Sequence, residues 1–593
     1  MDEKIRAYMD LDMAYGSKVI PKKQTITFFS RKSGMPQVWK LDENHKPVLY
    51  IESEDTIINV FYSPQGDKAI IAQDNNGNEK QQYFLVTEDG TKKEPLVYSP
   101  EHFHYFGGWS PDGQCIAYSS NRRHPGYFDI FLHNIETNEV KTAFTYDGNC
   151  TPVTWLKDGK HLLIDLPETS DDQRIFKLNV ETGELTRIGK EDVEARYQSF
   201  ALTKDGHGGY VVTDLNEDNL YIGKFSFEQP EQIEKVIETP TWDVEEIKLS
   251  PNEEKLAYTL NEAGYFKLVI LDVATGEQEE VTDIPKGVIQ SIAWLNDEAF
   301  VFSANTPTLP GDLFKYSLTT KEVERLTYIS HSDELTPHLV EPKLCTFKSF
   351  DGLDVPYFYY AKDDQPNKPA VLYVHGGPSV QTRAEFNYYI QYLVNQGFAV
   401  AAPNVRGSNG YGRKYLSLDN VRNRMDAVKD LAWLVEDLIK THQVDRDRIG
   451  IMGRSYGGFM TLAAITHYPD LWAAAVDIVG ISSFKTFMQT TGEWRRKLRG
   501  SEYGTIENDL EFFEEIDPLN HAHKIKAPLL IFHGLNDSRV PVTESIQMTM
   551  ALKERRQDVK LTIFDDEGHF TEKKHNHFTM NGNIVKFFEE KLS

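Results

Sequence analysis

The chain has 593 residues, too many for one hydrophobic core, so two or more domains are expected. Acidic residues outnumber basic ones 90 to 64, and the net charge of −26 argues against nucleic acid and anionic membrane surfaces as partners, since both need basic patches. The three scattered cysteines, Cys115, Cys150 and Cys345, offer neither a disulfide frame nor metal-ligand spacing; no metal and no cofactor is expected, and a reducing, cytoplasmic setting is.

Residues 1–20 read as an N-terminal extension. Ile5, Tyr8, Met9 and Leu11 or Met13 fall near one face of a short amphipathic helix, a frayed terminus being the alternative. The segment is acidic and lacks a continuous apolar stretch, so it is not read as a signal peptide. Nowhere does a run of about 18 apolar residues occur that could cross a membrane.

From residue 21 to 335 the chain consists of short alternating runs broken by turn residues. Six segments repeat: YSPQGDKAIIA, WSPDGQCIAYSS, WLKDGKHLLIDL, LTKDGHGGYVVTD, LSPNEEKLAYTL and WLNDEAFVFSA. The residues after the leading aromatic or Leu are Ser63, Ser110, Leu156, Thr203, Ser250 and Leu295, at separations of 47, 46, 47, 47 and 45. A period in the forties built from short strands predicts propeller blades, because one four-stranded sheet cannot bury both faces alone. The Asp-Gly step or its substitute is hairpin chemistry. TITFFSRKSGMPQVWKLD, near residues 25–42, reads as the outer part of a further blade, so about seven blades are expected, with six or eight as alternatives. Stacked sandwiches would not keep so constant a period. A propeller on its own is a rigid binding scaffold with a central channel.

The prolines of LTPHLVEPKLCTFKSFDG fit a linker, and residues 336–593 form the second domain. TFKSFDGLDVPYFYYA reads as a hairpin at a sheet edge. Strands at PAVLYVHGGP, FAVAAPNVRG, RIGIMG, AAAVDIVG, PLLIFHG and VKLTIFD alternate with helices at FNYYIQYLVNQG, DAVKDLAWLVEDLIKTH and NGNIVKFFEEKL. Such alternation over about 250 residues predicts a mostly parallel sheet covered on both faces, the α/β-hydrolase architecture.

Gly453-Arg454-Ser455-Tyr456-Gly457 lies between a strand and a helix, which is the setting of a nucleophile elbow. Ser455 is the expected nucleophile. Asp537, after the PLLIFHG strand, and His569, after VKLTIFD, complete the order Ser, Asp, His. Asp537 has a turn-residue alternative, His569 a surface one, and Asp565, Asp566 and Glu567 compete for the acid role. They share a strand end with His569, however, whereas an orienting carboxylate usually comes from a neighbouring loop. The N–H groups of Gly377, in His375-Gly376-Gly377-Pro378, and of Tyr456 are the expected oxyanion donors.

GRSYGG, VHGGP, NVRGSNGYG, HGLNDSRVP and DEGH together resemble the prolyl oligopeptidase family of serine peptidases, nearest its acylaminoacyl-peptidase-like branch. A departure from the family pattern is Phe570-Thr571 after His569, where many members have a further glycine. The resemblance implies a propeller that caps the active site and restricts access to short peptides. It implies that Arg539 binds a substrate carbonyl, a surface arginine in a loop being the alternative, and that Tyr456, Val540, Phe487 and Trp494 line the first specificity pocket; for Phe487 and Trp494 core packing is an equal alternative. Arg495, Arg496, Lys497 and Arg499 form a basic run, read as a solvated face or as a steering element for anionic substrate ends. NVRGSNGYG reads as a structural loop near the active site. Glu245-Glu246 and Glu253-Glu254 are paired glutamates at ordinary blade positions, so the amino-terminus anchor of the family's dipeptidyl peptidases is not expected. The resulting expectation is a serine peptidase cleaving short peptides, of acylaminoacyl-peptidase or oligopeptidase type. A carboxylesterase, a dipeptidyl aminopeptidase and a propeller adaptor with a relic hydrolase half are the alternatives, and homo-oligomerisation is left open.

Overall fold

The computed structural model describes residues 3–237 and 241–593; residues 1 and 2 of the N-terminal segment and 238–240 within the repeat region lie outside the described residues. Seven four-stranded antiparallel sheets, each made of consecutive strands, occupy residues 15–51, 57–97, 104–144, 151–188, 197–235, 243–280 and 288–325. The first strands of neighbouring blades pack on one another, so they line the central channel, and blade 1 meets blade 7 through Tyr15–Val19. Among the described residues no strand is shared across that seam. It is closed by Ala14 N–H to the Gly311 carbonyl at 2.9 Å and Ser17 Oγ to the Ser291 carbonyl at 2.6 Å.

The repeated segments are the hairpins between the first and second strands of blades 2 to 7. In blade 3 the Ser110 hydroxyl donates to Asp112 Oδ1 at 2.6 Å, while Gly113 turns the chain at φ 75°. In blade 6 the same turn position is held by Glu253 at φ 65°, which explains why the Asp-Gly signature fades there. The leading tryptophans have a separate task. Indole N–H groups of Trp109, Trp155 and Trp294 donate to the carbonyls of Phe61, Gly108 and Lys248, each in the preceding blade, at 3.1, 3.1 and 3.0 Å. The repeat period is therefore also the period of the staples between blades.

Two sequence expectations shift. The helix at the N-terminus spans Glu3–Met9 and buries Ile5, Tyr8 and Met9, but Tyr15–Val19, inside the stretch read as an extension, is the channel strand of blade 1. Gly16 and Lys18 interrupt its apolar alternation, and Lys18 reaches Asn59 Oδ1 and the Val60 carbonyl, at 2.6 Å each. TITFFSRKSGMPQVWKLD supplies the two middle strands of blade 1, Ile26–Ser30 and Gln37–Leu41.

The C-terminal half is built on one eight-stranded sheet in the order Lys343–Lys348, Asp354–Tyr360, Ala399–Pro403, Ala370–Val374, Ile449–Arg454, Ala474–Ile478, Leu529–Gly534, Val559–Phe564. The first two pairings are antiparallel and the rest parallel. One face is covered by helices Arg424–His442, Tyr456–His467 and Thr543–Glu554. The other is covered by Tyr388–Asn395, Lys574–Leu592 and the N-terminal helix, whose Ile5, Tyr8 and Met9 join that core. Among the described residues no helix is long and apolar enough to cross a membrane.

NVRGSNGYG and the residues after it form a docking element between the domains. Arg413 donates to Asp214 Oδ2 and Oδ1 at 3.1 and 3.0 Å, and Asn409 Oδ1 accepts from Arg196 Nη1 at 2.9 Å. Glu245 is likewise an interface residue, accepting from Arg383 Nη2 at 2.8 Å, and Glu246 lies at the channel beside Lys248. Neither glutamate is a plain solvent-facing side chain.

Candidate active site

Ser455 sits between strand Ile449–Arg454 and helix Tyr456–His467, at φ 58° and ψ −118°. For a residue with a side chain this is strained backbone, of the kind that costs about 1–3 kcal/mol and persists only where its surroundings enforce it. The glycines permit it. A Cβ on Gly453 would run into the Gly457 backbone, and one on Gly457 into the carbonyl oxygens of Val374 and His375. Any side chain at either position would push the elbow off the sheet.

The N–H of Tyr456 opens the helix, where no helical carbonyl precedes it, and so is free to meet a ligand. The other expected donor belongs to the peptide linking Gly376 to Gly377. His375 Nδ1 lies 2.7 Å from the Gly376 oxygen and its Nε2 lies 2.8 Å from Ser408 Oγ. Burial lowers the His375 pKa to about 4, so the ring is neutral and fixed. In a planar trans peptide, holding the Gly376 carbonyl on one side aims the Gly377 N–H to the other. Gly376 is close to Ser455, because a Cβ built on it would come within 3.7 Å of the Ser455 Cβ.

Asp537 and His569 are joined by a 2.7 Å contact from Nδ1 to Oδ2. The other carboxylate oxygen, Oδ1, accepts from the backbone N–H groups of Arg539 at 2.8 Å and Val540 at 2.9 Å. A second imidazole, His533, approaches Oδ2 at 3.5 Å; its Nδ1 meets Ser545 Oγ at 2.7 Å and its Nε2 the Val540 carbonyl at 2.9 Å. Burial alone would raise the Asp537 carboxyl, but the His569 charge and the bonds from both imidazoles outweigh it and hold it well below the usual carboxylate range. Burial also depresses His569, more than Asp537 beside it raises it. Arg454 Nη1 donates to the His569 carbonyl at 2.8 Å, so the loop carrying the histidine is tied to the residue before Ser455.

The three rival acids are engaged elsewhere or set apart from the imidazole. Asp566 Oδ2 accepts from Lys573 Nζ at 3.0 Å and Oδ1 from Asn576 Nδ2 at 2.8 Å, while Glu567 accepts the backbone N–H groups of Glu572 and Lys573. Asp565 offers its backbone carbonyl to Asn536.

The expected substrate contacts divide. Phe487 is buried and meets Tyr503 edge to face at 6.0 Å; Tyr503 also stacks near Tyr456 at 6.3 Å, and its hydroxyl donates to the Gly377 carbonyl at 3.3 Å. Val540 is buried beside Asp537, and the Tyr456 hydroxyl is tied into Asp419 and Arg424. Trp494 is elsewhere: its ring packs on Phe103, Tyr105 and Phe128 of blade 3, at 5.5, 6.2 and 6.0 Å, so it is a domain-docking residue. Arg539 is near the site but held. Its Nε donates to both oxygens of Glu79 on a loop of blade 2, at 2.9 Å each, and Ser538 Oγ donates to the same carboxylate at 2.6 Å. The Phe570 ring lies 5.1 Å from the Arg539 guanidinium and 5.8 Å from that of Arg454, on the wall of a cavity of about 510 Å³ between blades 1 and 2 and the hydrolase domain. Where the family motif has glycine, this chain thus places an aromatic platform.

Sequence reasoning missed His533, His375 as a ring rather than part of a glycine motif, Arg454 and Glu79. The first two were visible four residues before Asp537 and one before Gly376. Glu79 had no signal, since nothing local links it to a loop 460 residues away.

Residues 384–593 match the family model described as "Prolyl oligopeptidase family". Over 592 residues, 91% of this chain and 79% of the relative, the chain is 23% identical to "Dipeptidyl peptidase family member 6" of Caenorhabditis elegans. It is 36% identical to "Dipeptidyl aminopeptidase BIII" of Pseudoxanthomonas mexicana over 39% of this chain and 34% of that protein. To "Acylamino-acid-releasing enzyme 1" of Oryza sativa it is 28% identical over 42% of this chain and 33% of the relative. The matched parts thus span about a third of the length of these last two. In fold it superposes on a puromycin-hydrolysing peptidase of Mycobacterium tuberculosis with a TM-score of 0.87, at 18% identity, covering 99% of this chain and 96% of that one. Residues 384–593, about a third of the chain, are thus similar to the prolyl oligopeptidase family, and the fold of the whole chain is that of the solved peptidase.

Proposed function

We propose that the chain hydrolyses short peptides, as an acylaminoacyl-peptidase or oligopeptidase, through an acyl-enzyme on Ser455. The observation that carries this is the 2.7 Å contact between His569 and Asp537, formed beside a strained serine elbow. His569 takes the Ser455 proton as the hydroxyl attacks the carbonyl, then hands it to the leaving amine; Asp537 fixes the tautomer and stabilises the imidazolium. The N–H groups of Gly377 and Tyr456 receive the developing oxyanion. Water then releases the acyl group by the same steps in reverse order.

Tolerance of blocked amino termini is supported by the state of the acids. Glu79 is bound through both oxygens by Arg539 and Ser538, and Glu245 through Oε1 by Arg383 and Asn261. Neither is a vacant carboxylate waiting for an ammonium group. Three free cysteines suit a reducing compartment, and we assign the work to the cytoplasm. A substrate panel tests the reading: acetylated amino-acid anilides, free-amino dipeptide anilides, prolyl substrates and nitrophenyl esters. Acetylated anilides are expected to lead among the amides. Strict demand for a free amino terminus would make it a dipeptidyl aminopeptidase, and turnover of esters alone a carboxylesterase.

A further inference from the structure

Several cations gather on the wall of the site, and most have anions. Arg539 is bound by Glu79. Arg499 Nη1 donates to Glu502 Oε2 at 2.7 Å, and the other Glu502 oxygen accepts from Ser379 Oγ at 2.8 Å. Arg424 is paired with Asp419. Arg495, one turn before Arg499 on helix Glu493–Tyr503, is different. Among the described residues no acceptor meets its guanidinium, its Nε is shut away from solvent, and its ring contact is Trp494 at 5.3 Å.

The charges facing Arg495 come from four elements: Arg499 and Tyr503 on its own helix, Arg539 from the Asp537 loop, and Glu79 and Tyr105 from the propeller. Glu79 is already spent on Arg539. Burial, then the two neighbouring arginines, pull the Arg495 pKa down to about 10. Arg495 as a whole is half-buried, but its Nε has neither water nor an acceptor, and a nitrogen so placed is costly unless an anion arrives to share its charge. Its place fits substrate. Arg539 flanks Asp537, and Tyr503 touches both the Gly377 carbonyl and Phe487.

We propose that Arg495 recognises a carboxylate on the substrate, and that the peptidase favours an acidic side chain on the acyl side of the cleaved bond. The acyl side follows from the neighbours, since Tyr503 bonds to the Gly377 carbonyl and packs near Tyr456, the two residues proposed to receive the oxyanion of the acyl carbonyl. This inference rests on the proposed peptidase reading for its hydrolytic consequence, but not for binding.

The test compares Glu and Gln, matched in size, in otherwise identical acetylated peptide anilides. In the wild type, kcat/KM for the Glu substrate should exceed that for Gln by about 10-fold or more, as for a charge-assisted bond. Arg495→Gln should bring the ratio near one, and Arg495→Lys should restore part of it. A second measurement needs no turnover: calorimetric binding of the same two peptides to Ser455→Ala, with and without Arg495→Gln. Preference for Glu in binding but no hydrolysis by the wild type would sink the peptidase reading and leave this site standing. Equal binding and equal kcat/KM for Glu and Gln, or a preference that survives Arg495→Gln, would overturn it.

Discussion

Arg539 donates from Nε to both carboxylate oxygens of Glu79, 2.9 Å to each, across 460 positions of sequence. Burial raises the Glu79 carboxyl, but the Arg539 bond and charge and the Ser538 bond prevail and keep it below its usual range. The guanidinium is therefore already oriented when substrate arrives. Its remaining N–H groups can serve a peptide carbonyl. Arg539→Ala is expected to lower kcat/KM for peptides by roughly 10–100-fold. Glu79→Ala should cause a smaller loss in the same direction. Nitrophenyl acetate, which lacks a second carbonyl, should hardly respond; equal losses on ester and peptide would mean that the Asp537 loop had been damaged instead.

Ser455→Ala should end turnover while leaving the fold intact, since the hydroxyl contributes chemistry and little burial. Mass spectrometry after treatment with a fluorophosphonate should find the label on Ser455. A label elsewhere, or undiminished activity in the variant, refutes the nucleophile.

The acid limb of the pH profile follows from His569. The imidazole works as a base only when neutral, and its pKa lies below the usual value of about 6.5 because burial outweighs Asp537. As pH falls, kcat/KM should therefore hold until below about 6.5 and then decline as His569 gains its proton. Asp537→Asn removes the group that raises the imidazole, so the limb should move to still lower pH while the rate drops by about 10⁴-fold. An acid limb above 7 in the wild type contradicts this ordering.

His375 offers a test of the oxyanion loop. His375→Phe keeps a ring but loses both polar contacts, so the Gly376–Gly377 peptide is no longer held. Removing an oxyanion donor outright costs about 10²–10³ in kcat; loosening one should cost about 10-fold or more, with KM little changed. A change confined to KM would assign His375 to binding, and no change at all would leave the loop self-supporting.

Much of this architecture was legible because it is periodic or local. The blade spacing survives even where Glu253 replaces the turn glycine, since five other copies carry the pattern, four of them with that glycine. The residues proposed as catalytic follow strands whose apolar runs are unmistakable, and each strand end is set by its own sequence. Contacts between halves are a different matter. Trp494 reads equally well as pocket wall or core, and only blade 3 decides it; Glu79 reads as one acid among many until Arg539 stands opposite. The strand Tyr15–Val19 escaped because a channel-lining strand keeps polar residues such as Lys18 where a core strand would alternate.

The two passages of chain between the domains lie side by side. One is residues 10–14, after the helix Glu3–Met9; the other is 326–342, after the last strand of blade 7. Ala14 of the first bonds to Gly311 in the third strand of blade 7 and shares a core with Leu326 at the start of the second, and Tyr8 meets Tyr392 edge to face at 5.8 Å, fixing the first passage to the hydrolase half. On the far rim, among the described residues, blades 3 to 5 are held by side chains and single backbone bonds: Trp494 on Phe103, Lys497 to Glu168 at 3.1 Å, Arg413 to Asp214 at 3.0 Å. The molecule is thus built like a lidded box with a doubled hinge on one edge and a row of weak clasps on the other. Parting the halves would gape widest at blades 3 to 5, so a bulky guest would pass beneath that rim, and breaking the clasps there would loosen the lid without unseating either shell.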